Sequence, residues 1–185
     1  HLEQFIRAGG RLRALAYGPG ETPPYLTRLR AVQALLPEAL VMDTGAAAIR
    51  GALLDPVVER ERSAGVVVVN VGNQHVVGAL VQGERVLGMF EHHTHRVDLG
   101  RLIELVSGLR EGTLTNESVY ADHGHGAYIA PDYPGGFHFL AVTGPQRRLA
   151  GPLGPYFAVP YGDMMLSGAF GLLAAARERR GLPLP

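Results

Sequence analysis

The hydrophobic positions of this chain change their spacing several times, and each change predicts a different secondary-structure element. Residues 66–69 are four consecutive valines, a run typical of a strand that is buried on both faces. Two further strands, His75 to Val81 and Arg85 to Glu91, are predicted on either side of a tight turn at Gly83 and Glu84. Because these three strands follow one another directly, we expect them to form an antiparallel meander.

Apolar residues at helical spacing predict helices before and after this meander. The clearest is Asp98 to Arg110, in which Leu99 and Leu102 share one face behind a candidate N-cap aspartate. The small and apolar residues of Thr44 to Leu54 have the same periodicity. The remaining predicted helices are Leu2 to Ala8, Tyr25 to Leu36, Pro56 to Arg62, a short helix opened by Thr115, a short helix after Pro145, and Asp163 to Arg180 with Asp163 as a candidate cap.

Further strands and one long loop complete the predicted order of elements. The segment from Asp122 to Gly136 is rich in glycine, histidine and proline, which predicts a loop long enough to have a functional role. Three strands followed by alternating helices and strands predict an α/β domain with a mixed sheet. The additional strands are predicted at Arg11 to Tyr17, Ala39 to Asp43, Phe137 to Val142 and Tyr156 to Val159.

The same pattern suggests how the chain is divided. Residues 1–64 are expected to pack on the same lobe as a core formed by residues 65–180, and residues 181–185 are expected to be a disordered tail. The first residue is His1, and the chain begins inside a predicted helix. We therefore expect the chain to be a fragment that lacks a preceding lobe.

Composition excludes several classes of function. Seventeen basic and seventeen acidic side chains cancel, so no excess positive charge favours nucleic acid as a partner. The chain contains no cysteine, which excludes disulfides, cysteine-ligated zinc and an iron–sulfur cluster held by this chain. It also contains no lysine, which excludes a Schiff base and a P-loop lysine. No apolar run approaches the roughly 20 residues that a membrane span needs, so we expect a cytoplasmic protein without membrane contact.

The segment EHHTH, residues 91–95, concentrates side chains that can bind a metal or transfer a proton. It lies at the end of the third predicted strand, where alternation places Glu91 and His93 on one face and His92 on the other. The alternative is that one histidine is a hydrogen-bonded core residue and the others are solvated. From this spacing alone, both interpretations remain open.

A second polar cluster contains Asp122, His123 and His125. If both clusters lie at the same end of the sheet, they can form a metal site or an acid–base site. The alternative is a glycine-rich turn with polar caps. The candidate catalytic residues are Glu91, His92, His93, Asp122 and His125, and the candidate ligands of a divalent transition metal are His92, His93, His123 and His125.

The turn between the first two predicted strands is a candidate phosphate site. Glycine and small polar residues at such a turn expose backbone N–H groups that can bind an anion, although they can also form a merely polar hairpin turn. The candidate ligand-binding residues of this turn are Asn70, Gly72, Asn73, Gln74 and His75.

Four segments, taken in order, resemble the second lobe of the actin-like ATPase superfamily, which includes sugar kinases, actin and the seventy-kilodalton heat-shock chaperones. Residues 65–75 resemble its second phosphate loop, and residues 43–55 its first connecting helix. Residues 142–145 resemble its adenosine-binding turn, and residues 162–176 the small-residue helix that closes the sugar-kinase lobe. The resemblance implies a ribonuclease-H-like lobe that binds ATP with magnesium, with Thr143 and Gly144 near the base.

A narrower resemblance is to a family that carries the label of a pyruvate formate-lyase activating enzyme. The similar segments are residues 25–28, 69–75, 91–94, 122–127 and 161–168. Activating enzymes of that name are radical enzymes that need a three-cysteine cluster motif, which a chain without cysteine cannot supply. The label therefore does not describe the chemistry of this chain.

Two departures from the superfamily pattern limit what the resemblance implies. The first phosphate loop, an aspartate-glycine turn of the other lobe, is not in this sequence. Asn70 replaces the acidic residue that commonly opens the second phosphate loop, and an amide does not hold a metal–water network as a carboxylate does. Three hypotheses follow: a phosphate- or nucleotide-binding part of a larger enzyme, such as a phosphotransferase; a metal-dependent enzyme that uses no nucleotide; and a non-catalytic interaction or sensor lobe.

Overall fold

A computed structural model describes residues 1–184 of the chain, and within them it contains seven α-helices and eight β-strands. The helices are α1 (Leu2–Arg7), α2 (Thr27–Leu35), α3 (Thr44–Ala52), α4 (Pro56–Glu61), α5 (Leu99–Glu111), α6 (Asn116–Ala121) and α7 (Ser167–Arg179). The strands are β1 (Ala16–Tyr17), β2 (Val41–Met42), β3 (Val66–Val71), β4 (His75–Gln82), β5 (Arg85–His93), β6 (Gly126–Ile129), β7 (Phe139–Thr143) and β8 (Tyr156–Phe157).

Six of the strands form one mixed sheet in the order β6-β5-β4-β3-β7-β8. Strands β3, β4 and β5 are antiparallel neighbours, as the meander predicts, whereas β7 is parallel to β3 and β8 is parallel to β7. This arrangement confirms the predicted α/β class and the predicted mixed sheet. Strands β1 and β2 form a separate antiparallel pair.

Helices cover both faces of this sheet. Strand β3 lies inside it, and all six of its residues are buried, which explains its unbroken apolar run. Gly45 of α3 approaches Val77 of β4 on one face. Leu109 of α5 and Leu80 of β4 both border Gly88 on the other face. The core therefore lies in two layers, one on each side of the sheet.

Small residues allow α3 and α7 to pack closely against each other. A Cβ atom at Gly171 would lie 2.0 Å from the carbonyl oxygen of Ala47, and a Cβ atom at Gly51 would lie 1.8 Å from that of Ser167. Real Cβ atoms do not approach other atoms to such distances, so both positions require glycine in this packing.

Three sequence-based element predictions are wrong. Arg11 to Tyr17 is a 3₁₀ turn at Leu12–Leu15 followed by the two-residue strand β1, because its alternating apolar residues fit either structure. The predicted loop from Asp122 to Gly136 contains β6, which forms through backbone pairing with β5. The last helix begins at Ser167, and Asp163 caps a 3₁₀ turn before it by accepting a hydrogen bond from the backbone N–H of Met165.

The segment 1–64 contacts the core through its backbone. The backbone N–H of Leu12 donates to the carbonyl of Glu84, and that of Val86 donates to the carbonyl of Gly10. In the tail, the backbone N–H of Leu182 donates to the carbonyl of Arg177, while Pro185 lies outside the described residues. Across residues 1–184, none of the helices has both the length and the apolar character needed to cross a membrane.

Candidate functional site

Three histidines meet at one end of the sheet because three neighbouring strands each bring one of them there. His75 begins β4 and lies directly opposite His93, which ends β5. His125 immediately precedes β6, and its backbone N–H donates to the carbonyl oxygen of Glu91 at 2.9 Å. We refer to His75, His93 and His125 as the histidine triad.

The ring nitrogens of the histidine triad are close enough to act on one ligand. The Nε2 atoms of His75 and His125 are 3.3 Å apart. One ring nitrogen from each of the three residues can be chosen so that all lie within 4.8 Å of one another. His75 and His93 are half-buried and His125 is exposed, so the group is accessible from outside the protein.

Glu91 adds a carboxylate beside the histidine triad. Its Oε1 atom lies 3.6 Å from Nδ1 of His75. Burial raises the pKa of Glu91, and the negative charge of Asp43 raises it further, while His125, His75 and Arg28 lower it. The carboxylate therefore lies in a partly dehydrated position where positive charge would stabilise it.

Electrostatics also favour a neutral ring at His93. Desolvation lowers the pKa of His93, and positive charge on His125 and His75 lowers it further. A neutral imidazole has a free lone pair, which is the form that binds a metal ion.

His92 does not belong to this group, which corrects its predicted role as a metal ligand. Its side chain is fully buried, and its Nε2 atom lies 3.1 Å from Oδ2 of Asp122. The same Asp122 oxygen accepts a hydrogen bond from Nε of Arg101 at 2.8 Å. Because His92 lies on the opposite face of β5 from His93, it joins the strand to α5 and α6 rather than facing a ligand.

His123 is also separate from the histidine triad. It is exposed and has a positive φ of 60°, in the turn that ends α6. The predicted convergence of His92, His93, His123 and His125 is therefore wrong in two of its four members. His75, which the sequence suggested only as part of the phosphate turn, takes their place.

The predicted phosphate turn lines a cavity of about 320 Å³ next to the histidine triad. The backbone N–H of Gly72 donates to the carbonyl of His75, but within residues 1–184 the N–H groups of Asn73 and Gln74 have no hydrogen-bond partner. The residues that line the cavity are Arg28, Asp43, Thr44, Gly45, Asn70, Gly72, Asn73, Gln74, His75, Val77 and Glu91.

Asn70 is the most buried polar side chain of this cavity. It is 8% exposed, and its amide has no hydrogen-bond partner in the described part of the chain. Glycines lie on both sides of the amide. A Cβ atom added to Gly144 would lie 2.7 Å from Oδ1 of Asn70, and a Cβ atom added to Gly72 would lie 3.3 Å from its Nδ2. Because the amide oxygen and nitrogen are not fully enclosed by protein, water or a ligand in the cavity can reach them.

The structure adds Asp43 and Arg28 to the cavity, which the sequence analysis did not identify as site residues. Oδ1 of Asp43 accepts hydrogen bonds from the backbone N–H groups of Gly45 and Ala46 and so caps α3. Its Oδ2 atom has no hydrogen-bond partner within residues 1–184. The only sequence feature that pointed to Asp43 was its position where a short predicted strand ends and a predicted helix begins.

Thr143 and Gly144 lie behind the phosphate turn rather than on its open side. Thr143 is fully buried, and its hydroxyl lies 3.2 Å from Oγ of Ser167, so its side chain cannot contact a nucleotide base. The next residues hold the turn in place: the backbone N–H of Gln146 donates to the carbonyl of Val71, and its side-chain amide donates to Oδ1 of Asn73.

A second cavity, of about 660 Å³, borders the other side of the histidine triad. Glu91 lines both cavities, while His125 lines only this larger one and His75 only the smaller one. The other walls come from the start of α1, the α5–α6 connection and β6. Glu91, His75 and His125 therefore lie between these two cavities, whereas His93 lines neither of them.

Comparison with known proteins identifies the family. Residues 1–149 match the model of the family described as "Putative pyruvate format-lyase activating enzyme (DUF1786)", and the chain belongs to this family. No curated protein matches the chain. Among solved structures, the activator of the 2-hydroxyisocaproyl-CoA dehydratase from Clostridium difficile with bound ADPNP is similar, with 12% identity, coverage of 74% of this chain and 68% of that chain, and a TM-score of 0.37.

Proposed function

We propose that this member of the family binds a phosphate-containing ligand at the turn Asn70 to His75, with a nucleotide such as ATP as the leading candidate. One observation carries the proposal: residues with unpaired hydrogen-bond donors line one cavity. The N–H groups of the exposed residues Asn73 and Gln74 and the side-chain amide of Asn70 have no protein partner within residues 1–184, and Arg28 adds a positive charge. Backbone donors at a turn together with a guanidinium are suited to phosphate oxygens.

Magnesium fits the acidic part of the same cavity. Oδ2 of Asp43 is unpaired within the described residues, and burial raises the pKa of Glu91. Carboxylate oxygens are the ligands that magnesium prefers, and a bound magnesium ion would neutralise charge between these carboxylates and the phosphates. Asp43 would then supply the carboxylate that Asn70 lacks.

For catalysis, the proposed binding site needs a second phosphate-binding loop on its opposite side. In the superfamily that this sequence resembles, a second phosphate loop acts together with a first one, which these 185 residues do not contain. We therefore propose that the chain acts as one lobe of a larger enzyme, such as a phosphotransferase. In that arrangement residues 1–64 and 65–180 form one lobe, and the other lobe closes over the turn.

A second candidate function is a metal-dependent enzyme that uses no nucleotide. The histidine triad favours it, because one of its members, His125, and the neighbouring Glu91 line a cavity larger than the one at the phosphate turn. The two functions differ in their ligand, so binding measurements distinguish them.

The experiment is calorimetric titration of the full-length protein with ATP, ADP and inorganic phosphate, with and without magnesium. We expect ATP to bind in the presence of magnesium, and we expect Asn70→Leu to weaken binding by at least tenfold, since it removes the side-chain amide that borders the cavity. Gln82→Ala at the far end of β4 is the matched control and should bind as the wild type does. If none of the phosphate compounds produced heat on titration, the proposal that this cavity binds a nucleotide would be wrong.

A further inference from the structure

We propose that the histidine triad is the ligand set of a divalent transition metal ion of the zinc class, with Glu91 as the carboxylate that orients His75. His75 and Glu91 also line the phosphate cavity, but the metal ligands proposed here are imidazole nitrogens, and the site does not depend on the proposed nucleotide. It also differs from the ligand set that the sequence suggested, because it includes His75 and excludes His92 and His123.

The distance between two of the ring nitrogens matches metal ligation. Nε2 of His75 and Nε2 of His125 are 3.3 Å apart. Two nitrogens bound to zinc at about 2.0–2.1 Å in tetrahedral geometry are separated by about 3.3–3.4 Å. A metal ion placed between them would therefore need little movement of either ring.

His93 supplies the third ligand from the strand between the other two. Its ring centroid lies 4.4 Å from that of His125 and 5.2 Å from that of His75. Its ligand nitrogen lies within 4.8 Å of the other two, so a side-chain rotation has to bring it closer. The backbone positions are held by sheet pairing, since His75 and His93 are in register and the N–H of His125 bonds to the carbonyl of Glu91.

Glu91 is placed to orient one of the ligands. Its Oε1 atom lies on the Nδ1 side of His75, at 3.6 Å, while Nε2 of the same ring faces His125. Metal-binding histidines commonly donate their other ring N–H to a carboxylate, which fixes the tautomer and makes the ligand nitrogen more basic. A small movement that shortened the distance between Oε1 of Glu91 and Nδ1 of His75 from 3.6 Å to hydrogen-bond length would let His75 donate its Nδ1–H to this carboxylate.

The available ligands define the class of metal. Imidazole nitrogens suit zinc, cobalt, nickel and ferrous iron, whereas magnesium and calcium prefer oxygen. Three protein ligands leave a fourth position for water or substrate, as in catalytic zinc sites. Because Glu91 and His125 border the larger cavity and Glu91 and His75 border the smaller one, that position is accessible to a small molecule.

The test uses full-length protein with no affinity tag, since a histidine tag binds the same metals. Metal is removed with a chelator, and Zn²⁺ binding is then titrated calorimetrically in the absence of phosphate compounds. Co²⁺ is titrated in parallel, because the intensity of its visible absorption separates tetrahedral from octahedral coordination. We expect one ion per chain, a tetrahedral or five-coordinate Co²⁺ spectrum, and a loss of affinity of at least 100-fold in both His93→Ala and His125→Ala.

Two exposed histidines provide matched controls. His123→Ala and His138→Ala each remove one imidazole outside the histidine triad, and each should retain wild-type stoichiometry and an affinity within threefold. Circular dichroism of metal-free variants checks that each one folds. Two results would overturn the proposal: no saturable binding by the wild type, or unchanged binding after His93→Ala and His125→Ala are combined. Because the titrations contain no nucleotide, their failure is distinguishable from failure of the phosphate site.

Discussion

Nε2 of His125 lies 3.3 Å from Nε2 of His75, although 50 residues separate them in the chain. The contact exists because β4, β5 and β6 are neighbours in the sheet and place one histidine each at the same end. Two neutral imidazoles at this distance need either one shared proton or a cation between them.

Zinc should raise the thermal stability of the metal-free protein. A ligand that binds only the folded state stabilises it by about 2.7 kcal/mol when its concentration is 100 times its dissociation constant. We expect a higher unfolding midpoint for the wild type and no change for His93→Ala, measured by scanning fluorimetry with tag-free protein. An equal rise in both proteins would mean that the zinc binds elsewhere.

Replacing Glu91 should change how stability depends on pH. The pKa of Glu91 is raised in the folded protein from 4.5, so its contribution to stability is complete below about pH 4.5 and is lost as the pH rises through the folded pKa. Glu91→Gln removes this loss. In the metal-free protein, its free energy of unfolding relative to the wild type should therefore increase between pH 4 and pH 7, as measured by urea denaturation.

The control for that series is Glu117→Gln, which changes an exposed carboxyl on α6. Its stability relative to the wild type should be nearly constant over the same pH range. If Glu91→Gln were equally insensitive to pH, burial of Glu91 would have no energetic consequence.

His92 should contribute to stability rather than to metal binding. His92→Ala leaves a cavity and removes one partner of Asp122, which together should cost about 2–4 kcal/mol of stability. We expect a lower urea midpoint with an unchanged affinity for zinc below that midpoint. A variant that lost zinc while keeping its stability would restore His92 to the ligand set.

The close packing of α3 on α7 should be sensitive to a single methyl group. Gly171→Ala would place a Cβ atom 2.0 Å from the carbonyl oxygen of Ala47, so we expect a loss of about 1–3 kcal/mol. Gly168→Ala, one turn earlier in the same helix, has open space around the new atom and should be neutral or slightly stabilising. Urea denaturation of the two variants compares them directly.

The turn behind the phosphate site should also be sensitive to added bulk. Gly144 has a φ of 100°, and a Cβ atom there would lie 2.5 Å from the carbonyl oxygen of Val71 and 2.7 Å from Oδ1 of Asn70. We expect Gly144→Ala to weaken phosphate binding by about tenfold or more by displacing Asn70, which corresponds to about 1.4 kcal/mol. Gly154 also has a positive φ, but a Cβ atom there would contact nothing within 4 Å. Gly154→Ala is therefore the control: it introduces backbone strain without displacing Asn70.

Strong local patterns predicted most of the fold. The four valines at 66–69, the turn at Gly83 and Glu84, and the apolar face of α5 each favour one structure irrespective of the rest of the chain. Weak patterns failed where pairing with a distant segment decided the outcome. Strand β6 is the clearest case, because only its hydrogen bonds to β5 distinguish it from a glycine-rich loop.

The sequence predicted which segments form the candidate site, but not which of their side chains come together in it. The residue types of the phosphate turn and of the two polar clusters were sufficient to locate them, because those side chains are rarely placed together without a polar role. The face on which each side chain lies was not predictable at His125, because Gly126 has a φ of 121° and interrupts the regular alternation of the strand. Asp43 was missed because a helix cap and a ligand have the same local sequence.

The amino-acid sequence alone dictates that a β-meander forms here, since valine runs and a tight turn leave few alternatives. The partner of His75, in contrast, depends on tertiary structure. The register that pairs Gln82 with Arg85, continued without interruption, would place His75 opposite the buried His92. A bulge between Leu80 and Val81 shifts the pairing by one residue, so that His75 faces His93 instead. Because alternate residues of a strand lie on opposite faces, that one-residue shift creates the histidine triad.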